Sequence, residues 1–217
     1  MIKSIRISVT SALLLMSYGS IALESSLGVK DLPKLTQESQ HVASAKRVTS
    51  QFLRAHYKPI DLDYELSVKI FDRFIRSIDF NHNVFTAEDI KSFSAYKNKF
   101  DDSIERGNLS IAYDIYQLNM QRRTERYEYA LTLLDKEFNF ELANDRFTYD
   151  REEAAWAKNN KELDELWRQR VKYDALNLKL AGKEWPKIQE LLTKRYKRAI
   201  KRLTQTSSED VFQTVMN

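Results

Sequence analysis

The chain has 217 residues, no cysteine, and 35 Lys and Arg against 31 Asp and Glu, a formal net charge of +4. Without cysteine no disulfide can staple the fold, so packing alone must hold it, and the length suits one domain with a single good core. Two of the four net charges sit on Lys3 and Arg6, while elsewhere basic and acidic residues alternate closely, as on solvated helix faces; a nucleic-acid partner, which needs a segregated basic footprint, is excluded.

At the N-terminus, Lys3 and Arg6 precede the apolar stretch Ile7 to Met16, and the small residues Ser20 and Ala22 follow it. Cationic start, apolar middle and small-residue end predict a cleavable secretory signal over residues 1–22. The apolar run is far shorter than the roughly 20 residues that cross a bilayer. Residues 23–217 are then the folded domain.

Only four glycines and three prolines interrupt the chain, which favours long helices. Val42, Ala45, Val48, Phe52 and Leu53 recur at helical spacing and predict a first helix that stops before Lys58-Pro59. Asp61 is placed to cap a second, whose stripe runs through Leu62, Leu66, Ile70, Phe71, Phe74, Ile75 and Ile78. After a turn over 79–85, Thr86 and Asp89 form a capping box for a third helix with Ile90, Phe93, Tyr96, Phe100 and Ile104, ended by Gly107. The fourth, from about Leu109 to Lys136, is the longest and carries Ala112, Tyr113, Tyr116, Met120, Tyr127, Ala130, Leu131 and Leu134. Its tyrosines, Tyr129 among them, read as core and edge packing, with Arg122, Arg123 and Arg126 pairing or stacking locally.

From Phe138 to Asn160 the helical period fails; Phe138, Phe140 and Leu142, then Phe147 and Tyr149, alternate instead, predicting a short excursion that is either irregular or a hairpin. Leu163, Leu166, Trp167, Val171 and Leu178 restore the helical period up to Gly182. Pro186 opens a further long helix with Ile188, Leu191, Leu192, Tyr196, Ala199 and Leu203 inside. Ser207 or Ser208 caps a last helix whose face, Val211, Phe212, Val215 and Met216, is expected to lie uncovered, as though the element were cut midway. The fold class expected is all-α: an irregular multi-helix bundle.

Candidate chemistry is sparse. His41, His56 and His82 lack the spacing of a helical metal site, no cysteine is available, and no glycine-rich loop exists to cradle phosphate, so neither metal nor cofactor is expected. His56 is placed near solvent at the end of the first helix, and His82 in a turn hydrogen bond among Asn81 and Asn83. Asp101, Asp102, Glu105, Glu152 and Glu153 lie on highly charged stretches with no apolar pocket to raise a pKa. Ser207 and Ser208 near Lys201 are explained as helix caps, so no catalytic residue is assigned. Lys194, Arg195, Lys197, Arg198, Lys201 and Arg202 gather opposite the apolar face of their helix. That basic face, and the apolar face at Val211, Phe212, Val215 and Met216, are the candidate partner-docking surfaces; an acidic patch on a partner domain, or an anionic membrane surface, would meet the former.

The strings RVTSQFLRAHYKPIDLD (47–63), KIFDRFIRSIDFNHNVF (69–85), RRTERYEYAL (122–131), LWRQRVKYDALNLKLAGK (166–183) and RYKRAIKRLTQTSSEDVF (195–212) resemble the N-terminal region of bacterial tail-specific proteases, also called carboxy-terminal processing proteases. The resemblance covers nearly all of residues 23–217. It implies a periplasmic helical domain that precedes a PDZ domain and a serine protease core with a Ser/Lys pair. Such a domain scaffolds the core and helps dock a protein substrate or adaptor recognised through C-terminal tails. The PDZ domain, the nucleophilic serine and the general-base lysine have no counterpart among these residues, so the resemblance carries no catalytic position over. Two expectations follow: a helical domain that partners PDZ and protease domains in cis or as a separate chain, or a free-standing adaptor or decoy for the same partners.

Overall fold

The computed structural model describes residues 27–58, 60–141 and 145–217. The expected signal segment 1–22, Pro59 and Leu142 lie outside the described residues. Among the described residues eight α-helices follow one another: α1 (Ser39–Ala55), α2 (Tyr64–Ile78), α3 (Ala87–Phe93), α4 (Phe100–Glu105), α5 (Ser110–Thr132), α6 (Asn160–Leu180), α7 (Trp185–Leu203) and α8 (Ser208–Met216). No strand occurs among the described residues; a single isolated parallel bridge joins Thr86 to Ala157. The chain is an all-α bundle.

Two apolar cores share one helix. The first is built from Ala45 of α1, Phe71, Phe74, Ile75 and Ile78 of α2, Phe93, Phe100 and Ile104 of α3 and α4, the first half of α5, and α8. The second joins Ala130 at the far end of α5 to Leu163, Trp167 and Val171 of α6 and Ile188, Leu192 and Tyr196 of α7. At 1.5 Å per residue, α5 is about 35 Å long and reaches through both.

Between the cores α5 is polar. Asn119 donates to the Ile78 carbonyl at 3.1 Å, and Arg123 donates to the same oxygen and to Asn119 Oδ1, so the carbonyl left open at the end of α2 is satisfied from the side. Arg122 forks onto Asp89 at 3.0 and 3.3 Å, and Arg126 pairs with Asp164 of α6. The expectation of local pairing holds for the 3.2 Å contact of Arg122 with Glu125, the 2.8 Å bond of Arg123 to Asn119 and the stacking of Arg126 over Tyr129. The stronger partners lie more than thirty residues away, where helical spacing gives no signal.

Helix ends follow their chemistry with two corrections. Asp63, not Asp61, caps α2 by accepting from the Leu66 N–H at 2.9 Å. The expected third helix breaks into α3, a 3-10 turn over Ser94–Tyr96, and α4. The buried Ser67 hydroxyl of α2 accepts from the Phe100 and Asp101 N–H groups and donates to the Lys97 carbonyl, capping α4 from another helix. Thr86 and Asp89 do form the capping box. Gly107 has φ +68°, and a Cβ there would stand 2.6 Å from the Val42 carbonyl oxygen, so glycine is required both for the turn and for the approach of α1.

Among the described residues the segment between α5 and α6 takes the irregular form and not the hairpin, and its alternation seats side chains on helices instead of a partner strand. Phe138 meets Trp185, Phe147 meets Tyr173, and Asp145 takes Arg168 at 2.7 and 3.0 Å and Lys172 at 2.7 Å. Those two cations hold the Asp145 carboxyl well below the usual carboxylate range. Glu152 pairs with Arg76, and His82, rather than bonding among Asn81 and Asn83, reaches the Ala154 carbonyl and stacks on Trp156 at 3.7 Å.

Asp79 organises the turn from α2 to α3. Its carboxylate, 2% exposed, accepts the N–H groups of Asn83, Val84 and Phe85 at 3.0, 3.0 and 2.9 Å. Burial pushes its pKa up and outweighs those donors, which pull it down. Asp79→Ala strands the donors and is expected to cost about 3 kcal/mol in urea denaturation, with Asp79→Asn, which keeps one acceptor, losing less; equal stability of wild type and D79A would contradict the assignment.

Candidate docking surfaces on the last two helices

Helix α7 starts with Trp185-Pro186, where the missing proline N–H costs no bond. Ile188, Leu192, Tyr196, Ala199 and Ile200 are buried, and Lys194, Arg195, Lys197, Arg198, Lys201 and Arg202 are all exposed on the outer side, as the projection requires. Lys194 pairs with Glu190 at 2.6 Å, and Lys187 with the same carboxylate at 2.8 Å; together they draw Glu190 down to about 2. Arg195 leans onto Asp174 of α6 at 3.3 Å. Among the described residues the other four cations make no ion pair, so the second half of α7 presents unneutralised positive charge.

Helix α8 departs from expectation. Val211 is fully buried and Val215 is buried with it, both in the first core between α1, α2 and α5. Phe212 and Met216 are half-buried. The chain therefore returns from the second core to close the first, and the face expected to lie uncovered is mostly covered.

A buried polar cluster fixes that closure. His41 of α1, 2% exposed, lies with Nε2 2.9 Å from Glu209 and accepts the Glu38 N–H at Nδ1, the tautomer that satisfies both. Its ring stacks on Phe212 at 4.7 Å. Tyr113 of α5 donates to the Ser208 carbonyl at 2.8 Å, and burial, with Glu38 and Glu209 nearby, pushes its phenol up to about 12. Ser207 caps α8 and donates to Asp210 at 2.7 Å, while Ser208 Oγ accepts from the Thr36 N–H at 3.3 Å. Both serines are thus engaged in holding the helix start, in keeping with the reading as caps.

What remains open is a groove between α1, α2 and the end of α8, a cavity of about 530 Å³ whose walls include Val48, Phe52, Leu66, Ile70 and Met216. Val48 and Phe52 are 48% and 50% exposed. The buried line of α1 is instead His41, Ala45 and Thr49. Sequence reading put all the apolar residues of α1 inside and overlooked this groove; the offset of Val48 and Phe52 from that line of small and polar residues was the only signal.

Residues 48–217 match the family model described as "Tail specific protease N-terminal domain", and the chain belongs to that family. A "Tail-specific protease" of Haemophilus influenzae is 44% identical over 201 residues, which are 91% of this chain and 28% of that protein. The chain thus spans little more than a quarter of the length of this relative.

The two faces of the apolar set are separable by substitution. Val211→Asp buries a charge without a partner and is expected to lose more than about 3 kcal/mol of stability. Phe52→Glu, on the open groove wall, is expected to stay within about 0.5 kcal/mol of wild type in the same denaturation experiment. A large loss from F52E would make the groove part of the core.

Proposed function

We propose that this chain is the helical scaffold and docking domain of a periplasmic tail-specific serine protease, working on proteins recognised by their C-terminal tails together with PDZ and protease domains, in cis or on another chain. Export rests on Lys3, Arg6, the apolar run Ile7 to Met16 and the small residues Ser20 and Ala22. Peptide hydrolysis belongs to those other domains. The observation that most supports docking is the apolar groove of α1, α2 and α8: an open cavity with two half-exposed apolar side chains, Val48 and Phe52, on a chain otherwise rich in charge at its surface. Family membership, with a relative more than three times as long, supports the partnership with further domains.

A second reading, a free-standing adaptor or decoy for the same partners, is favoured by the burial of Val211 and Val215, which leaves α8 seated without help from any other domain.

The chain, recovered from the periplasm with Leu23 as its first residue, is mixed with a PDZ-protease fragment of the same family and an unstructured reporter ending in an apolar tail. Under the first reading it does not cleave alone, raises cleavage by the fragment several-fold, and loses that effect on Phe52→Glu. Inhibition of a full-length protease without stimulation of the fragment would establish the second. Cleavage by the chain unaided would sink both.

A further inference from the structure

Helices α6 and α7 and the segment before α6 enclose a cleft of about 310 Å³ on the flank of the second core. Four guanidinium groups line it, those of Arg151, Arg170, Arg195 and Arg202, against a single carboxylate, Asp174. That carboxylate is already engaged, by Arg195 at 3.3 Å and by the Tyr196 hydroxyl at 3.1 Å. Among the described residues none of the other three arginines reaches a carboxylate. Arg170 lies over the Trp167 ring at 4.6 Å, which fixes its plane, and the Nε of Arg151 is buried with no hydrogen-bond partner. The one hydrogen bond of the Arg151 guanidinium among the described residues is a 3.5 Å contact with the Ala155 carbonyl, so an anion in the cleft would add a charged acceptor to a group poorly supplied with them.

The walls narrow the choice of anion. Tyr173 sits between Phe147 at 5.2 Å and Tyr149 at 6.2 Å, and Tyr149 is 73% exposed at the mouth. Planar guanidinium forks match carboxylates two bonds at a time, and aromatic faces accept the apolar side chains beside them. A lone inorganic anion would leave those faces unused. A membrane surface is flat, and would meet the outward Lys197 and Lys201 before it met a recess. We infer that this cleft binds an acidic peptide segment of a partner protein, its carboxylates on Arg151, Arg170 and Arg202 and its neighbouring apolar side chains on Tyr149 and Tyr173. The inference deepens the docking reading and rests on it by naming the chemistry of one docked segment.

Isothermal titration of the chain with an acetylated, amidated Glu-Leu octapeptide tests it, beside the Gln-Leu counterpart. The Glu-Leu peptide is expected to bind, the Gln-Leu peptide at least about tenfold more weakly, and Arg202→Gln and Arg170→Gln each to weaken the former by about tenfold. Lys197→Gln and Lys201→Gln, on the same helix outside the cleft, are expected to leave it within about twofold. Arg202 is exposed, so its variant is expected to fold even if the loss of Arg170 from Trp167 disturbs the core. No binding, equal binding of both peptides, or equal losses from lysine and arginine variants would overturn the inference. So would full displacement by millimolar phosphate, or binding of phosphatidylglycerol vesicles lost in the same arginine variants. If the peptide fails to bind while the chain still stimulates a protease fragment, this inference falls and the docking reading stands.

Discussion

The polar waist of α5 is the constraint on which the rest of the structure depends. A helix about 35 Å long that is apolar at both ends gathers a separate core at each. Its middle turns then face backbone and charged groups from both sides. Asn119 and Arg123 close the end of α2, Arg122 holds the capping box of α3 through Asp89, and Arg126 holds α6 through Asp164. Each of these ties relieves a polar group that would otherwise be left open at a helix end or in a crowded interior. Partly buried charge pairs add little net stability over an apolar alternative, but they are costly to break when one partner is lost.

Both candidate docking surfaces follow from that arrangement. Helix α7 lies along the far half of α5, so its cationic side faces out and two of its exposed arginines, Arg195 and Arg202, border the cleft against α6. Helix α8 recrosses to the near half and is pinned by His41, Tyr113 and the Ser207 cap, which leaves the groove beside α1 and α2 as the apolar surface on offer. One surface is charged and the other apolar, on opposite cores, so a rigid α5 presents two chemically distinct faces at a set separation.

Local rules read well from the amino acids alone. The helix stripes of α2, α6 and α7, the Thr86–Asp89 box, the left-handed glycines Gly107 and Gly182, Pro186 in a first turn and the serine cap of α8 all depend on neighbours within four residues. What failed depends on distant partners. Ser67 splits the third helix from thirty-three residues away, and Val211 finds its cover on α1, α2 and α5, which begin about 100 to about 170 residues earlier. The basic face of α7 was legible because exposure and periodicity agree there. The groove was not, because Val48 and Phe52 look like core until Ala45 and Thr49 are seen to take that role.

The central claim is that one helix makes two cores into a single body that holds both candidate docking faces. Hydrogen exchange across a urea titration, read separately at the amides of α2 and of α6, tests it most directly. A shared helix predicts one midpoint for both sets. Loss of protection in α6 and α7 at a lower urea concentration, with α1 and α2 still protected, would show two independent units and contradict it.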